Sequence, residues 1–204
     1  MVAYSDPHIL VINKPSGLLS VPGRGPEKAD CALSRVQLIH PDALTVHRLD
    51  MDTSGLLIFA RGKTIQRALS IQFAKGQISK RYVANVWGAP ERPKGLIDLP
   101  IITDWPNRPR QKIDHDTGKP SQTQYDTAGH HANGARLILS PLTGRTHQLR
   151  IHLAAINHPI LGDDLYAHEK ALAASARLCL HADHLSFSHP ATQEPLHLSA
   201  PCPF

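Results

Sequence analysis

The amino-acid sequence predicts an α+β domain with a mixed, mostly antiparallel sheet, and three observations carry that expectation. Apolar runs of strand length and stretches with helical spacing are interspersed without the regular alternation of a parallel α/β fold. No repeat, low-complexity segment or Gly/Ser linker interrupts the chain. Its 204 residues, 41% hydrophobic and 19% charged, are ordinary globular composition and long enough to bury a core without disulfides or metals. Residues 1–204 are therefore expected to form a single domain.

The elements follow in order. His8–Asn13 reads as a short buried strand, stopped by Lys14-Pro15-Ser16-Gly17, where Pro and Gly turn the chain. A second short strand is expected at Leu18–Val21, running into Pro22-Gly23. Ala32–Ile39 has helical spacing at Leu33, Val36 and Ile39 and ends before Pro41. Gly55–Ala60 is a continuous apolar run, which predicts a strand covered on both faces. Lys63–Lys75 places Ile65, Leu69 and Phe73 at four-residue spacing with Gly76 just beyond, an amphipathic helix with a C-cap.

Further along, Tyr82–Trp87 and Ala135–Ser140 read as strands, and Leu178–Phe187 as one or two more. Between Trp105 and Pro120 the chain is rich in Pro, Arg, Lys and Asp without apolar periodicity. That predicts an ordered loop or hairpin adding little to the core. Thr146 reads as the cap of a helix from His147 to Asn157, with Leu149, Leu153 and Ile156 as its buried stripe and Arg150 off that stripe.

Charge and cysteine usage narrow the function classes. A net charge of +5, with 14 His able to protonate beside phosphate, suits a polyanionic partner. Cys31, Cys179 and Cys202 are odd in number and show no CxxC spacing, which argues against a disulfide framework and a structural zinc site. Cys31 and Cys179 sit in apolar surroundings and read as small core residues. The first residues show no basic stretch followed by an apolar core, and no run approaches the roughly 18 apolar residues that span a bilayer. A cytoplasmic location without membrane contact is expected.

The chemistry concentrates in His47-Arg48-Leu49-Asp50-Met51-Asp52-Thr53-Ser54-Gly55. This stretch resembles the catalytic loop of the RluA family of pseudouridine synthases, H-R-L-D-x-x-T-S-G, in which only two of nine positions are free. Three further segments agree in order: Asn13-Lys14-Pro15-Ser16-Gly17, Lys80-Arg81-Tyr82-Val83-Ala84, and Gly144-Arg145-Thr146-His147-Gln148-Leu149-Arg150-Ile151-His152. Asp98-Leu99-Pro100, Asp104-Trp105-Pro106-Asn107-Arg108-Pro109 and Thr117-Gly118-Lys119-Pro120 resemble the short, dual-specificity branch of the family, which modifies ribosomal and transfer RNA. The resemblance spans almost the whole chain. It implies the pseudouridine synthase catalytic fold, with flanking helices and a central RNA-binding cleft. The chain opens on the first catalytic-domain strand, so no S4-type RNA-binding module is expected.

The resemblance also implies roles. Converting uridine to pseudouridine breaks the N1 glycosidic bond, turns the uracil and rebonds it through C5, with one proton lost from C5 and no net change in composition. No cofactor is needed. A carboxylate must act at the sugar, as nucleophile at C1′ or base at C2′, and the resemblance assigns that part to Asp50. Asp52 occupies a free position. Tyr82 offers a ring to stack on the uracil, and Arg150 is expected to pair with Asp50 and hold it ionised. Arg48 is placed to fill the gap left by the extruded base. His47, Arg24, Arg108, Arg110, Lys112, Lys119, Arg145 and His147 are candidates for contact with the RNA backbone.

Other classes fit less well. His147 and His152 lie five apart and His181 and His184 three apart, without the HExxH pattern or a carboxylate at fixed spacing, so a metal-dependent hydrolase is disfavoured. An RNA-binding protein with an inactive catalytic fold is opposed by the intact Asp50, Tyr82 and Arg150. The expected partner is a structured loop of transfer RNA, 23S ribosomal RNA, or both. One complete set of residues per chain makes a monomer sufficient, with no obligate protein partner.

Overall fold

The computed structural model describes residues 2–204. In chain order it contains β1 (Val2–Ser5), β2 (Ile9–Lys14), a short 3-10 turn (Pro26–Lys28), α1 (Ala32–Gln37), β3 (Ala43–Thr45) and β4 (Ser54–Arg61). There follow α2 (Lys63–Ala74), β5 (Ser79–Trp87), β6 (Lys94–Asp98), β7 (Ile101–Thr103), β8 (Gln111–Ile113) and β9 (Gln122–His131). The last elements are β10 (Gly134–Pro141), α3 (Gln148–Ala155), α4 (Glu169–Ala173), β11 (Leu180–Ser188) and β12 (Pro195–Ser199). This is the expected α+β class, with mostly antiparallel strand pairs. The residues divide into two compact units: those up to Lys80 with His181–Pro203, and Arg81–Leu180 with Phe204.

In the first unit β2 pairs antiparallel with β1 and with β4, and β3 also pairs with β4. β11 runs parallel to β4 through His181 opposite Ser54 and Ala182 opposite Gly55, and antiparallel to β12. The predicted apolar run is fully buried from Ser54 to Ala60, as a strand covered on both faces requires. α2 supplies Leu69, Ile65 and Phe73 to a core with Ile9, Val11, Leu56, Ile58, Leu185 and Phe187. The four-residue spacing read from the sequence is the face that packs.

The second unit is built on the antiparallel order β5-β10-β9-β6, with β7 and β8 as a separate hairpin. Its core joins Ala84, Val86, Leu137 and Leu139 of the sheet to Leu149 and Leu153 of α3 and to Leu161, Leu178 and Leu180. The polar stretch after Trp105 forms the tip and return strand of that hairpin, one of the two forms expected.

Two local expectations are corrected. Leu18–Val21 is not a strand; Leu19 makes a single bridge to Cys31. Cys31 is buried, but it also caps α1, its sulfur accepting the Ser34 N–H while the Ser34 hydroxyl accepts the Cys31 N–H. The helix after Arg145 starts one residue late because His147 adopts a left-handed conformation (φ 54°) and takes the N-cap position. Gln148 closes the preceding turn instead: its Oε1 accepts from Arg145 N–H and the Thr143 hydroxyl, and its Nε2 donates to the Gln122 carbonyl.

Candidate active site

The Asp50 loop is held by its backbone. Lys14 ends β2 with no exposed surface, and its ammonium donates to the carbonyls of Pro15 (3.0 Å), Leu18 (2.7 Å) and Met51 (2.8 Å). A buried charge is tolerated only when hydrogen bonds replace its water, and three carbonyls do so here. The Gly17 N–H also reaches the Met51 carbonyl (3.0 Å). Ser16 Oγ donates to the Asp52 carbonyl and Ser20 Oγ to the Leu49 carbonyl, both at 2.7 Å. Within the loop, Thr53 N–H bonds the Asp50 carbonyl (3.2 Å). Four consecutive carbonyls, Leu49 to Asp52, are thus occupied, and the half-buried Asp50 side chain extends from a fixed backbone.

The ends of the loop are fixed as firmly. His47 Nε2 accepts the Ile58 N–H of β4 at 3.0 Å, and its ring stacks on Phe73 of α2 with centroids 4.7 Å apart. Burial, helped by the nearby Lys80 charge, pushes the imidazole down to about 3, so it is neutral at ordinary pH. Expected from the sequence to contact RNA, His47 therefore brings no charge to a phosphate; it anchors the loop to the sheet. At the other end Ser54 Oγ and His181 Nδ1 share a buried 2.8 Å hydrogen bond. Gly55, at φ +116°, lies so close to β11 that a Cβ would fall 2.2 Å from the Ala182 carbonyl oxygen. Arg48 and Arg24 are exposed in this unit.

In the second unit Tyr82 is half-buried on β5, opposite Leu139 of β10. Arg150 is buried within α3 rather than off its packed face. It makes a two-pronged pair with the fully buried Asp163, Nε to Oδ2 at 2.8 Å and Nη2 to Oδ1 at 2.6 Å. A third bond reaches Asp164 (2.9 Å), and its guanidinium lies over the Tyr166 ring at 5.4 Å. Planar forks of this kind fix a guanidinium in orientation as well as position. Asp163 Oδ1 also accepts the N–H groups of Leu165 and Tyr166, which ties the turn to the arginine.

The remaining candidate cations of this unit cluster at the surface. Arg108, Arg110 and Lys112 lie on the β7–β8 hairpin, Lys112 paired with Asp114 at 3.0 Å. Lys119 bonds through its backbone to Ile101 at the start of the hairpin, and Arg145 donates to the Pro120 carbonyl (3.5 Å), which brings both beside it. His147 Nδ1 shares a 2.8 Å bond with the Tyr166 hydroxyl. His152 bonds Thr123 Oγ1 and the Leu99 carbonyl, both at 2.9 Å, as a core histidine does.

The sequence reading did not single out Lys14, Ser16, Ser20, Asp163 or Tyr166 by role. Lys14 and Ser16 lay inside a quoted motif. Gly162-Asp163-Asp164-Leu165-Tyr166 carried no local pattern to mark it.

A carboxylate on a loop held by its backbone is an arrangement for acid–base or covalent chemistry at carbon. Comparison with known proteins defines which. The family profile for RNA pseudouridylate synthase matches residues 8–155, and the chain belongs to that family, isomerases that convert uridine in RNA to pseudouridine. Among its most similar relatives is the dual-specificity RNA pseudouridine synthase RluA of Escherichia coli (strain K12), 51% identical over 205 residues, covering 100% of this chain and 94% of that protein. The RluA of Yersinia pestis is 51% identical with 100% of both covered, and that of Vibrio vulnificus 52% identical with 100% of this chain and 83% of the relative covered. Of solved structures, Human RNA Pseudouridylate Synthase Domain Containing 1 matches with a TM-score of 0.83 and 28% identity over 100% of this chain and 83% of that one. Human RNA Pseudouridylate Synthase Domain Containing 4 gives 0.79 and 25%, covering 99% and 88%.

Proposed function

We propose that this enzyme is dual-specific, isomerising a uridine in the anticodon stem-loop of transfer RNA and another in a structured loop of 23S ribosomal RNA. Likeness over the whole chain to relatives named for dual specificity carries the reading. In it, the target base leaves its stack, at a cost of about a few kcal/mol, and Arg48 takes its place. Asp50 acts at the sugar, the N1–C1′ bond breaks, the uracil turns, and the C5–C1′ bond forms as C5 loses its proton and N1 gains one. Tyr82 is assigned to the uracil ring and Arg150 to the orientation of the carboxylate, as their motif positions imply. Arg24, Arg108, Arg110, Lys112, Lys119 and Arg145 hold the backbone phosphates, each adding salt-sensitive affinity.

Several features support these assignments. Donors occupy four consecutive carbonyls of the Asp50 loop, Arg150 is fixed in orientation by its fork to Asp163, and the cations on the hairpin side are exposed. The reaction is composition-neutral and calls for no cofactor. The two units act as one catalytic domain, a monomer suffices, and the setting is the cytoplasm, where both RNAs are found.

Transfer RNA and 23S ribosomal RNA carrying tritium at uridine C5 test the proposal. The protein should release tritium from both, and Asp50→Asn should slow release at least about 100-fold. Release from only one RNA would overturn dual specificity, and release from neither would overturn the reading as a whole.

A further inference from the structure

Trp105 is 66% exposed, the only aromatic among the large exposed hydrophobic residues described. A ring that size ordinarily buries some 150–250 Å². Its surroundings hold it out. The hairpin tip is closed by Asp104 N–H to the Arg110 carbonyl (3.0 Å), Asn107 N–H to the Asp104 carbonyl (3.1 Å) and Arg110 N–H to the Asn107 carbonyl (3.0 Å). Asn107 Nδ2 adds a 2.9 Å bond to the Asp104 carboxylate. The Arg108 guanidinium stacks 4.8 Å from the indole centroid, so the ring is ordered by a cation and not by burial.

The tip is also anchored to the buried centre of its unit. The Gln111 N–H donates to the Tyr166 hydroxyl at 2.8 Å, and the same tyrosine ring lies against Arg150. A flat apolar face on a rigid arm, bordered by exposed Arg108 and Arg110, has the chemistry of a base-stacking platform beside phosphate contacts.

We propose that Trp105 forms a second nucleobase subsite, stacking on an unpaired base of the RNA loop other than the target uridine, with Arg108 and Arg110 on the neighbouring phosphates. The proposal rests on the reading of this chain as an enzyme of structured RNA loops. It makes the hairpin an arm that selects loops with an unpaired base besides the target.

The test uses the full chain with 5-fluorotryptophan at its two tryptophans, Trp87 and Trp105, the second fluorine line assigned through Trp105→Phe. On saturation with an anticodon stem-loop the Trp105 line should shift. Trp105→Ala should raise the Kd about 5- to 100-fold, while Trp105→Phe, which keeps a ring, should retain most of the affinity. An abasic site at one unpaired loop position should weaken wild type but not Trp105→Ala. A Trp105 line that stays in place while fluorescence anisotropy shows the RNA bound overturns the subsite, as does an affinity of Trp105→Ala within twofold of wild type. In either case tritium release by wild type leaves the function standing. Absence of both RNA binding and tritium release would instead remove the functional reading and the subsite with it.

Discussion

Replacing Lys14 by Met tests whether the carbonyl clamp places Asp50. The side chains are similar in length, so the variant removes the ammonium and its three donated bonds of 2.7–3.0 Å while largely filling the space. The Met51 carbonyl keeps the Gly17 N–H and the Pro15 carbonyl belongs to an exposed residue, whereas the Leu18 carbonyl loses this donor in a buried setting. At about 1–3 kcal/mol for such a carbonyl, partly offset because a desolvated charge is removed, the net loss should be about 1–2 kcal/mol. The larger effect falls on catalysis. Met51 adjoins Asp50, and misplacing a reacting group by about 1 Å costs on the order of 100-fold in rate. Urea unfolding reads the first effect; single-turnover tritium release at saturating RNA, well below the melting temperature, reads the second. Turnover should fall about 10- to 100-fold with RNA affinity within about twofold. Wild-type turnover, or a loss confined to affinity, would refute the clamp.

Gly55→Ala should be among the most disruptive single changes, since its Cβ would lie 2.2 Å from the Ala182 carbonyl at a φ of +116°. A loss above about 3 kcal/mol is expected from strain and separation of β4 from β11, and a melting temperature within about 2 °C of wild type would contradict it. His47 predicts a pH dependence. The unfolded chain binds a proton below pH 6.5 that the folded imidazole, at about 3, refuses, so stability falls as pH drops through that window. Its share reaches up to about 2 kcal/mol by pH 5. The urea midpoint should fall further between pH 7.5 and pH 5 for wild type than for His47→Asn; an equal pH response in both rules the assignment out.

Elements with strong local signals were legible in the sequence. β4 announced itself as six consecutive apolar residues, Gly55 to Ala60, and α2 by Ile65, Leu69 and Phe73. β9 did not. Its ten residues, Gln122–His131, include only Tyr125 and Ala128 as apolar side chains, and its buried Thr123 is explained by hydrogen bonds to Gln148 and His152 rather than by a pattern. β1, β3, β6, β12 and α4 are three to five residues long, too short for a period to show. Asp50 stood out through its motif. Lys14 read as part of a polar turn because sequence cannot show that three carbonyls surround it. Asp163 is thirteen residues from Arg150 in an irregular segment, and only the fold makes them a pair.

The nine-residue loop motif gains a physical division from this arrangement. Asp50 is the member assigned to chemistry; His47, Ser54 and Gly55 fix the ends against β4, α2 and β11, while Lys14, Ser16 and Ser20 hold the middle from outside the motif. Fixing a residue's backbone costs about 1–2 kcal/mol, and for four residues with occupied carbonyls that loss is met once, on folding. Were the loop mobile, the same entropy would oppose every turnover, and the carboxylate would reach the sugar in only a fraction of encounters. The side chains are therefore arranged around backbone oxygens for the sake of one carboxylate. That is why Met51 and Asp52, held through their carbonyls alone, can be the two free positions, whereas His47, Ser54 and Gly55 are fixed by what their side chains, or the lack of one, must fit.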